Sequence, residues 1–349
     1  MAKLKAAVIG CGGISRAHVN AWMADERADL VYCVDIDEER AKEKAEVVGC
    51  KWHTDYTAIL DEVDAVDICT PPHLHAEMTV EAARRGKHVM CEKIMARNLD
   101  EAEPMIRETE KAGVVFMIAF VLRYRPEFQK LHEICTSGQL GRILQVYEQT
   151  SMRLGKVVEW RRDPLTFPMG CFLSHGCHYV DQLIWNIGPI TEACSMSSNF
   201  VLGDQILGDD TTVATFRHEN GALSAYVESW AITHPITRIR FDVYGSAGSA
   251  RLEYHLDGRR TVEVKNEDGH DTVFELDPSK QDYMDPFGGA KDMHGQIAHF
   301  VECIAEGKQP LTHGREGIKA MQVILAACEA EHCGKVVRMD EFLARRPAM

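Results

Sequence analysis

Two charged residues, Glu92 and Lys93, follow the apolar run GKHVMC, where a buried strand would leave its sheet. A partly buried lysine can accept a proton, because burial lowers the pKa of its ammonium group toward neutrality. A second titratable group, His178, lies in the segment SHGCHYVD, and an unperturbed imidazole has a pKa of about 6.5. Each side chain is of a type that can take up and return a proton near neutral pH. The structural alternatives are an ion pair made by Glu92 and a core histidine at the start of a helix.

Three small residues, Gly10, Gly12 and Ser15, follow the run LKAAVIG with the spacing G-x-G-x-x-G/A. Such a turn lets the backbone approach a pyrophosphate, and the helix that follows presents free N–H groups to the anion. Asp35 stands twenty residues after Ser15, where its carboxylate would accept hydrogen bonds from ribose hydroxyls. That carboxylate would repel a 2′-phosphate, so NAD is predicted in preference to NADP, although Arg40 could tolerate the phosphate. The alternative is a turn in an α/β protein that binds no nucleotide.

Alternating strands and helices must position these residues in the first third of the chain. Segments with helical periodicity separate five apolar runs, at 4–10, 28–37, 64–72, 87–93 and 114–120. This alternation predicts a parallel sheet with helices on both faces. From about residue 125, short strand-like runs adjoin Gly, Asn or Asp turns, which predicts an antiparallel sheet and a domain boundary near Tyr124.

The composition is that of an ordinary globular protein, with 45% hydrophobic and 26% charged residues among 349. A net charge of −14 argues against a nucleic-acid partner, because binding phosphates requires a basic face. No apolar run approaches the roughly 20 residues of a membrane span, and no signal-peptide segment is evident, so we expect no membrane partner. Several of the twelve cysteines lie inside apolar runs, which predicts reduced thiols and a cytoplasmic location. The clusters HGCH and HLH lack standard zinc spacing, so we expect no metal.

Six segments occur in one order along the chain: IGCGGISRAH, DAVDICTPPHLHAE, GKHVMCEK, LRYRPEFQKL, GCFLSHGCHYVDQLIW and YGSAGSARLEY. Together they resemble the glucose–fructose oxidoreductase / inositol dehydrogenase / rhizopine-catabolism (Gfo/Idh/MocA) family, over nearly the whole chain. The resemblance implies an N-terminal Rossmann dinucleotide-binding domain (residues 1–124) and a C-terminal α+β domain with a large open antiparallel sheet (residues 125–349). It also implies nicotinamide-dependent redox chemistry on a small carbohydrate-like substrate, and a homodimer or homotetramer joined through the open sheet.

The resemblance also implies roles for particular residues. Lys93 occupies the place of the lysine in the family's E-K-P motif, which is catalytic or orients the substrate. His178 is its implied acid/base partner, and Trp160 with Arg161 approaches the nicotinamide in some members. The implied cofactor contacts are Gly10, Gly12, Gly13, Ile14, Ser15, Asp35, Thr70, Pro71, His75, Glu92, Lys93 and Arg123. The implied substrate contacts are Lys93, Arg123, Trp160, His175, His178 and Asp181.

Two positions depart from the family pattern. Ser174 stands where the first Asp of D-x-G-x-H-x-x-D is expected, with His175 beside it. Either His175 is a further catalytic residue that handles protons, or the site carries less charge. Ile94 replaces the proline after Lys93. Because a cis bond before a residue other than proline costs about 2.5–4 kcal/mol, we expect a trans or less rigid Lys93–Ile94 peptide.

Three functions fit these residues. The first is an NAD-dependent dehydrogenase that transfers a hydride between nicotinamide and a hydroxyl-bearing carbon of a sugar, glycoside or polyol. The second is a glycoside-cleaving enzyme with tightly bound NAD, and the third is a non-catalytic NAD-bound sensor. Retention of Lys93 and His178 favours an enzyme. Substrate specificity is expected in the loops RLGKVVEWRRDPLTFP and DPSKQDYMDPFGGAKDMHG.

Overall fold

The computed structural model describes residues 2–155, 157–163, 165–167, 169–267, 269–276 and 293–345. The second predicted specificity loop, at 277–295, therefore lies outside the described residues up to position 292. Among the described residues, 2–121 and 293–318 form one compact unit, and 122–276 and 319–345 form another.

Six parallel strands form the sheet of the first unit. They are β1 (Leu4–Ile9), β2 (Ala28–Val34), β3 (Lys51–His53), β4 (Ala65–Ile68), β5 (His88–Cys91) and β6 (Phe116–Ile118). Their order is β3-β2-β1-β4-β5-β6. Every residue of β4 is buried, as expected for a central parallel strand covered on both faces.

Four helices connect these strands: α1 (Ser15–Ala24), α2 (Glu38–Val48), α3 (His75–Arg84) and α4 (Leu99–Ala112). Asn98 caps α4, since its side chain accepts a hydrogen bond from the backbone N–H of Glu101. Gly49 and Gly113 end α2 and α4 with positive φ angles, which glycine adopts without strain. The parallel sheet and its connecting helices confirm the predicted Rossmann domain.

Nine strands form the sheet of the second unit. They are β7 (Ile143–Ser151), β8 (Ile190–Ser198), β9 (Thr211–His218), β10 (Leu223–Ser229), β11 (Ile239–Gly245), β12 (Gly248–Tyr254), β13 (Arg260–Asn266), β14 (Gly269–Leu276) and β15 (Val337–Arg338). The order is β14-β13-β12-β11-β7-β10-β9-β8-β15. Of the pairs that hold this sheet together, only β7 with β10 is parallel among the described residues. The predicted, mostly antiparallel sheet is thereby confirmed.

One face of this sheet is covered by helices of its own unit. On β9, Ala214 and Phe216 point inward and are buried, whereas Val213 and Arg217 are exposed on the other face. The covering helices are α5 (Pro126–Thr136), the short α6 (Cys171–Ser174) and α7 (Gly176–Ile187). The side chain at position 176 must be small, because a Cβ there would collide with the Tyr226 hydroxyl.

Three further helices complete the described chain: α8 (His294–Glu306), α9 (Gly314–Cys333) and α10 (Met339–Ala344). Helix α8 packs on α1 within the first unit, where the rings of Trp22 and Phe300 meet edge to face at 6.2 Å. Among the described residues, no helix is both long enough and apolar enough to cross a lipid bilayer.

Candidate functional site

The glycine turn joins β1 to α1, and at position 10 the backbone accommodates only glycine. Its φ is +97°, and a Cβ on it would lie 2.8 Å from the carbonyl carbon and oxygen of Cys69. Around Gly12 and Gly13, by contrast, the Cβ positions meet no atom of the described residues within 4 Å, apart from their chain neighbours. The turn is therefore tight on the side of the protein and open on the other side.

The start of α1 has no side-chain cap among the described residues, because its N-cap residue is Ile14. Ser15 donates its hydroxyl hydrogen bond backwards to the Gly12 carbonyl at 2.7 Å. Asp35, after β2, accepts from the backbone N–H of Cys11 at 2.7 Å, which joins it to the glycine turn. An uncapped helix start beside a partly buried carboxylate matches the needs of a pyrophosphate and a ribose.

Arg40 does not extend its charge freely beside Asp35. It is the third residue of α2 and forms an ion pair with Asp37 at 3.1 Å. The Asp37 side chain also caps α2 through the backbone N–H groups of Glu39 and Arg40. Asp37 therefore already pairs with Arg40, the nearby cation considered for binding a 2′-phosphate. This pairing favours NAD over NADP.

Glu92 and Lys93 lie directly after β5. Glu92 is buried, and its carboxylate accepts from the backbone N–H of Lys93 at 3.0 Å. Lys93 itself is partly buried. The Lys93–Ile94 peptide is cis, so the expected trans bond is wrong. The buried Ile94 side chain and the contact of its carbonyl with His75 show that tertiary packing outweighs the local preference.

A buried network that the sequence analysis missed holds Glu92. The Nε2 atom of His18 lies 2.8 Å from Glu92, and its Nδ1 atom lies 2.8 Å from Asp67 on β4. Trp22 donates its indole N–H to the same Asp67 at 2.8 Å. Burial alone would lower the pKa of His18, but the charges of Asp67 and Cys69 and the hydrogen bonds to both together outweigh it and raise that pKa well above its usual value. A histidinium between two carboxylates therefore fixes the backbone at Lys93.

His18, Asp67 and Cys69 also bring one potential metal-ligand atom each within 4.8 Å of one another. Both ring nitrogens of His18 already contact carboxylates, and Trp22 occupies Asp67 as well. The group reads as a hydrogen-bonded core network. The signal in the sequence was the acidic Asp67 inside the apolar run DAVDIC.

His75 links the loop after β4 to the segment after Lys93. Its Nδ1 atom lies 2.8 Å from the carbonyl oxygen of Ile94, and its Nε2 atom lies 2.8 Å from that of Thr70. Burial lowers the pKa of His75, so the ring is neutral at ordinary pH. Thr70 and Pro71 are partly buried at the start of this loop. His75 thus ties together two loops at the carboxyl ends of β4 and β5, where ligands of such sheets bind.

In the second unit, Arg123 and Asp181 form a buried bidentate ion pair. The distances are 2.9 Å from Nε and 2.6 Å from Nη2 to the two carboxylate oxygens. The guanidinium also lies 5.4 Å from the ring centre of Trp185. Two of the predicted site residues, far apart in the chain, are thereby in direct contact, and the pair anchors α7.

His175 contacts a carboxylate that the sequence analysis did not identify. Its Nδ1 atom lies 2.7 Å from Glu228 on β10, and the Tyr226 hydroxyl donates to the same carboxylate. The His175 ring lies 6.0 Å from that of His178, edge to face. The buried Glu228 carboxylate thus orients the imidazole of His175 through its Nδ1 atom.

A second buried carboxyl, Glu148 on β7, lies in the same part of the second unit. Thr150 donates to it at 2.6 Å, while its Oε2 atom is buried without a hydrogen-bond partner among the described residues. Burial, with a contribution from the charge of Glu228, raises the pKa of Glu148 well above its usual value. Glu148 is therefore neutral at ordinary pH.

Trp160 lies in the short turn Glu159–Arg161 and packs edge to face on Phe167 at 5.4 Å. It is only partly buried. The predicted site residues thus form two groups. The first unit holds Gly10, Gly12, Gly13, Ile14, Ser15, Asp35, Thr70, Pro71, His75, Glu92 and Lys93, and the second holds Arg123, Trp160, His175, His178 and Asp181.

Comparison with known proteins identifies both parts of the chain. A family model described as an oxidoreductase family with an NAD-binding Rossmann fold, GFO_IDH_MocA, matches residues 4–120. A model of the GFO/IDH/MocA C-terminal domain matches residues 128–251.

Two curated relatives extend over nearly the whole chain. A D-apiose dehydrogenase from Paraburkholderia graminis is 27% identical, with 99% of this chain and 92% of the relative covered. A myo-inositol 2-dehydrogenase from Thermotoga maritima is also 27% identical, covering 97% of this chain and all of the relative (100%). Among solved structures, a levoglucosan dehydrogenase in complex with NADH has a TM-score of 0.84 at 23% identity, covering 97% of this chain and 99% of that one. This last likeness supports the fold.

Proposed function

Because this chain belongs to the Gfo/Idh/MocA oxidoreductase family, we propose that it is an NAD-dependent dehydrogenase acting on a sugar, glycoside or polyol. The observation that carries the proposal is the glycine turn, with its open outer side and its hydrogen bond to Asp35. Curated relatives named for apiose and myo-inositol support a substrate rich in hydroxyl groups.

The glycine turn and the residues after β2 suit the cofactor in four respects. The space around Gly12 and Gly13 leaves room for a pyrophosphate, and the uncapped start of α1 offers N–H donors. One carboxylate oxygen of Asp35 accepts a hydrogen bond from the backbone N–H of Cys11, and the other accepts one from that of Asp37. Each oxygen therefore keeps a lone pair for a ribose hydroxyl. Ile36, 87% exposed beside Asp35, offers an apolar surface on which an adenine ring could pack.

When bound, the oxidised nicotinamide supplies the acceptor for the hydride that leaves the carbinol carbon. In the proposed mechanism Lys93 removes the proton of the substrate hydroxyl. The His18–Glu92 contact supports that role, because Glu92 holds the Lys93 backbone. His178 is the partner that exchanges this proton with its surroundings, and His175, oriented by Glu228, assists it in place of the acid that Ser174 does not supply.

The assembly and location belong to the same proposal. Large apolar side chains on the uncovered face of the second sheet, including Tyr147, Val213, Leu223 and Val227, are 36–47% exposed. A face of this kind is suited to a second copy of the chain, so we infer a homodimer or homotetramer. All twelve cysteines lie among the described residues and are thiols outside any disulfide, which supports a reducing, cytoplasmic location. Sedimentation of the wild type beside Val213→Glu tests the assembly, and a monomeric wild type would refute it.

The test of function is a screen for NADH formation with sugars, polyols, sugar acids and glycosides, run with NAD⁺ and with NADP⁺. Lys93→Ala should abolish turnover while NAD⁺ affinity, measured by calorimetry, stays within a few-fold of the wild type. Lys87→Ala, near the start of β5, is the matched control and should leave turnover unchanged. Cleavage of a glycoside without net NADH formation would refute the dehydrogenase proposal and support the glycoside-cleaving function instead. Full turnover in Lys93→Ala would refute the proposed role of this lysine.

A further inference from the structure

Arg161 is a cation enclosed by aromatic rings in the second unit. Its guanidinium carbon lies 5.2 Å from the ring centre of Trp160, 5.6 Å from that of Phe167 and 5.7 Å from that of Trp230. Aromatic faces stabilise a guanidinium, but they do not satisfy its N–H donors. In the described part of the chain, Arg161 forms no ion pair, and its Nε atom is buried without a hydrogen-bond partner.

A second donor in the same place lacks a partner. Trp230 is 1% exposed, and its indole nitrogen is buried with no hydrogen-bond partner among the described residues. Indole and guanidinium N–H groups donate and never accept. Two neighbouring donors left unsatisfied are unusual, because buried polar groups are almost always hydrogen-bonded. The guanidinium carbon of Arg161 lies 5.7 Å from the Trp230 ring centre, so a ligand with two acceptor oxygens would meet both needs.

The charge of Arg161 specifies the acceptor. Burial lowers the pKa of its guanidinium to about 10, so the group remains a cation at neutral pH. The residue is only partly buried as a whole, which leaves it accessible from solvent. A guanidinium matches the two oxygens of a carboxylate with parallel hydrogen bonds. A single cation balances one negative charge, which favours a carboxylate over a dianionic phosphate.

The neighbourhood connects this cation with the residues proposed for proton handling. The ring of Trp230 lies 6.5 Å from that of His175, whose Nδ1 atom contacts Glu228. We propose that the substrate is an acidic sugar derivative, a uronic or aldonic acid, whose carboxylate is bound by Arg161 and the indole N–H of Trp230. This inference rests on the proposed dehydrogenase function and specifies its substrate class.

The experiment is a binding titration that needs no turnover. Quenching of tryptophan fluorescence in the NAD⁺-loaded protein is measured with D-glucuronate against D-glucose, and with D-galacturonate against D-galactose. Wild type should bind the acids more tightly. Arg161→Met should weaken acid binding by about 10-fold to 100-fold, the range for losing charge-assisted hydrogen bonds, and leave the neutral sugars unchanged. Arg162→Met, which removes an exposed charge next in sequence, should bind the acids like the wild type.

Three results would overturn the inference. The first is equal wild-type affinity for each acid and its neutral counterpart. The second is an equal loss in Arg161→Met for acids and neutral sugars. The third is a loss of NAD⁺ affinity in Arg161→Met with acid binding intact, which would assign the guanidinium to the cofactor pyrophosphate. Arg161→Lys, which keeps the charge but not the planar fork, should show an intermediate loss and guards against misfolding of the methionine variant. If the acids bind but no NADH forms, the proposed dehydrogenase function is refuted, whereas the proposed carboxylate site is still supported.

Discussion

Two glycines of the same turn are expected to fail in different ways when each is replaced by alanine. In Gly10→Ala, a left-handed backbone costs an L-residue about 1–2 kcal/mol. The new methyl group also lies 2.8 Å from the Cys69 carbonyl, and forcing extra volume into packed structure costs about 1–3 kcal/mol. The free energy of unfolding of the cofactor-free protein should therefore fall by about 2–5 kcal/mol.

Gly12→Ala should behave in the opposite way. Its φ is not positive and its Cβ position meets nothing within 4 Å, so the cofactor-free protein should keep its stability or gain about 0.4–1 kcal/mol from a less flexible unfolded chain. The methyl group would instead occupy the space proposed for the pyrophosphate. At a cofactor concentration about 100 times Kd, the wild type gains about 2.7 kcal/mol from binding, and Gly12→Ala should lose most of that gain.

Urea unfolding, followed by tryptophan fluorescence with and without NAD⁺, measures both effects, and calorimetry gives Kd directly. Gly86→Ala is the control for backbone strain alone, because Gly86 has φ +71° and open space around its Cβ position. It should lose only about 1–2 kcal/mol and bind NAD⁺ normally. Unchanged NAD⁺ affinity in Gly12→Ala would refute the placement of the pyrophosphate. A Gly10→Ala variant no less stable than Gly86→Ala would refute the argument from close approach.

Three further substitutions test other parts of the molecule. Asp35→Ser removes the charge opposed to a 2′-phosphate, so the ratio of kcat/KM with NADP⁺ to that with NAD⁺ should rise at least about tenfold in steady-state assays. Glu148→Gln removes a buried carboxyl with a raised pKa, which stays protonated when folded but ionises when unfolded above its ordinary value of 4.5. The stability of the wild type therefore falls as pH rises above that value, whereas glutamine does not ionise. The difference in urea midpoint, Glu148→Gln minus wild type, should therefore increase between about pH 5 and about pH 8. Asp181→Asn removes the carboxylate charge opposite the buried Arg123, and the free energy of unfolding should fall by about 3–5 kcal/mol in urea titrations.

Each of these has its own check. Asp29→Ser is the control for Asp35, since it removes an exposed carboxylate at the start of β2, opposite the end that carries Asp35, and a coenzyme ratio unchanged in Asp35→Ser would contradict the role given to that carboxylate. A pH-independent difference between Glu148→Gln and wild type would show that Glu148 is ionised when folded. Glu192→Gln breaks the exposed pair with Arg217 and should cost less than about 1 kcal/mol, and an equal cost in Asp181→Asn would contradict the burial argument.

Features set by short stretches of chain were the ones that the sequence predicted. The glycine turn needs only the spacing of Gly10, Gly12 and Ser15 after an apolar run. The parallel sheet follows from strands and helices in alternation. Such features depend on backbone geometry within one turn or one βαβ unit, so no distant residue has to be known.

Contacts between distant residues were not predictable in the same way. His175 meets Glu228 across 53 positions, and the contact depends on how β10 is placed beneath α7. His18 meets Glu92 across 74 positions, because β1, β4 and β5 are neighbours in the sheet. Each side chain alone has an ordinary structural explanation. Only strand order and register decide that a carboxylate lies beside each imidazole.

The return of residues 293–318 to the first unit limits how this protein can be divided. Thr312 donates to the Ile118 carbonyl at the end of β6, and Phe300 covers Trp22 on α1. A chimera that contained only residues 2–121 of this unit would expose Trp22 and the end of β6. It would also lose the hydrogen bond from Thr312. A coenzyme-binding domain transferred to another protein must therefore include two separate segments of the chain. For the same reason, enzymes with this chain path cannot exchange the domain through a single recombination crossover.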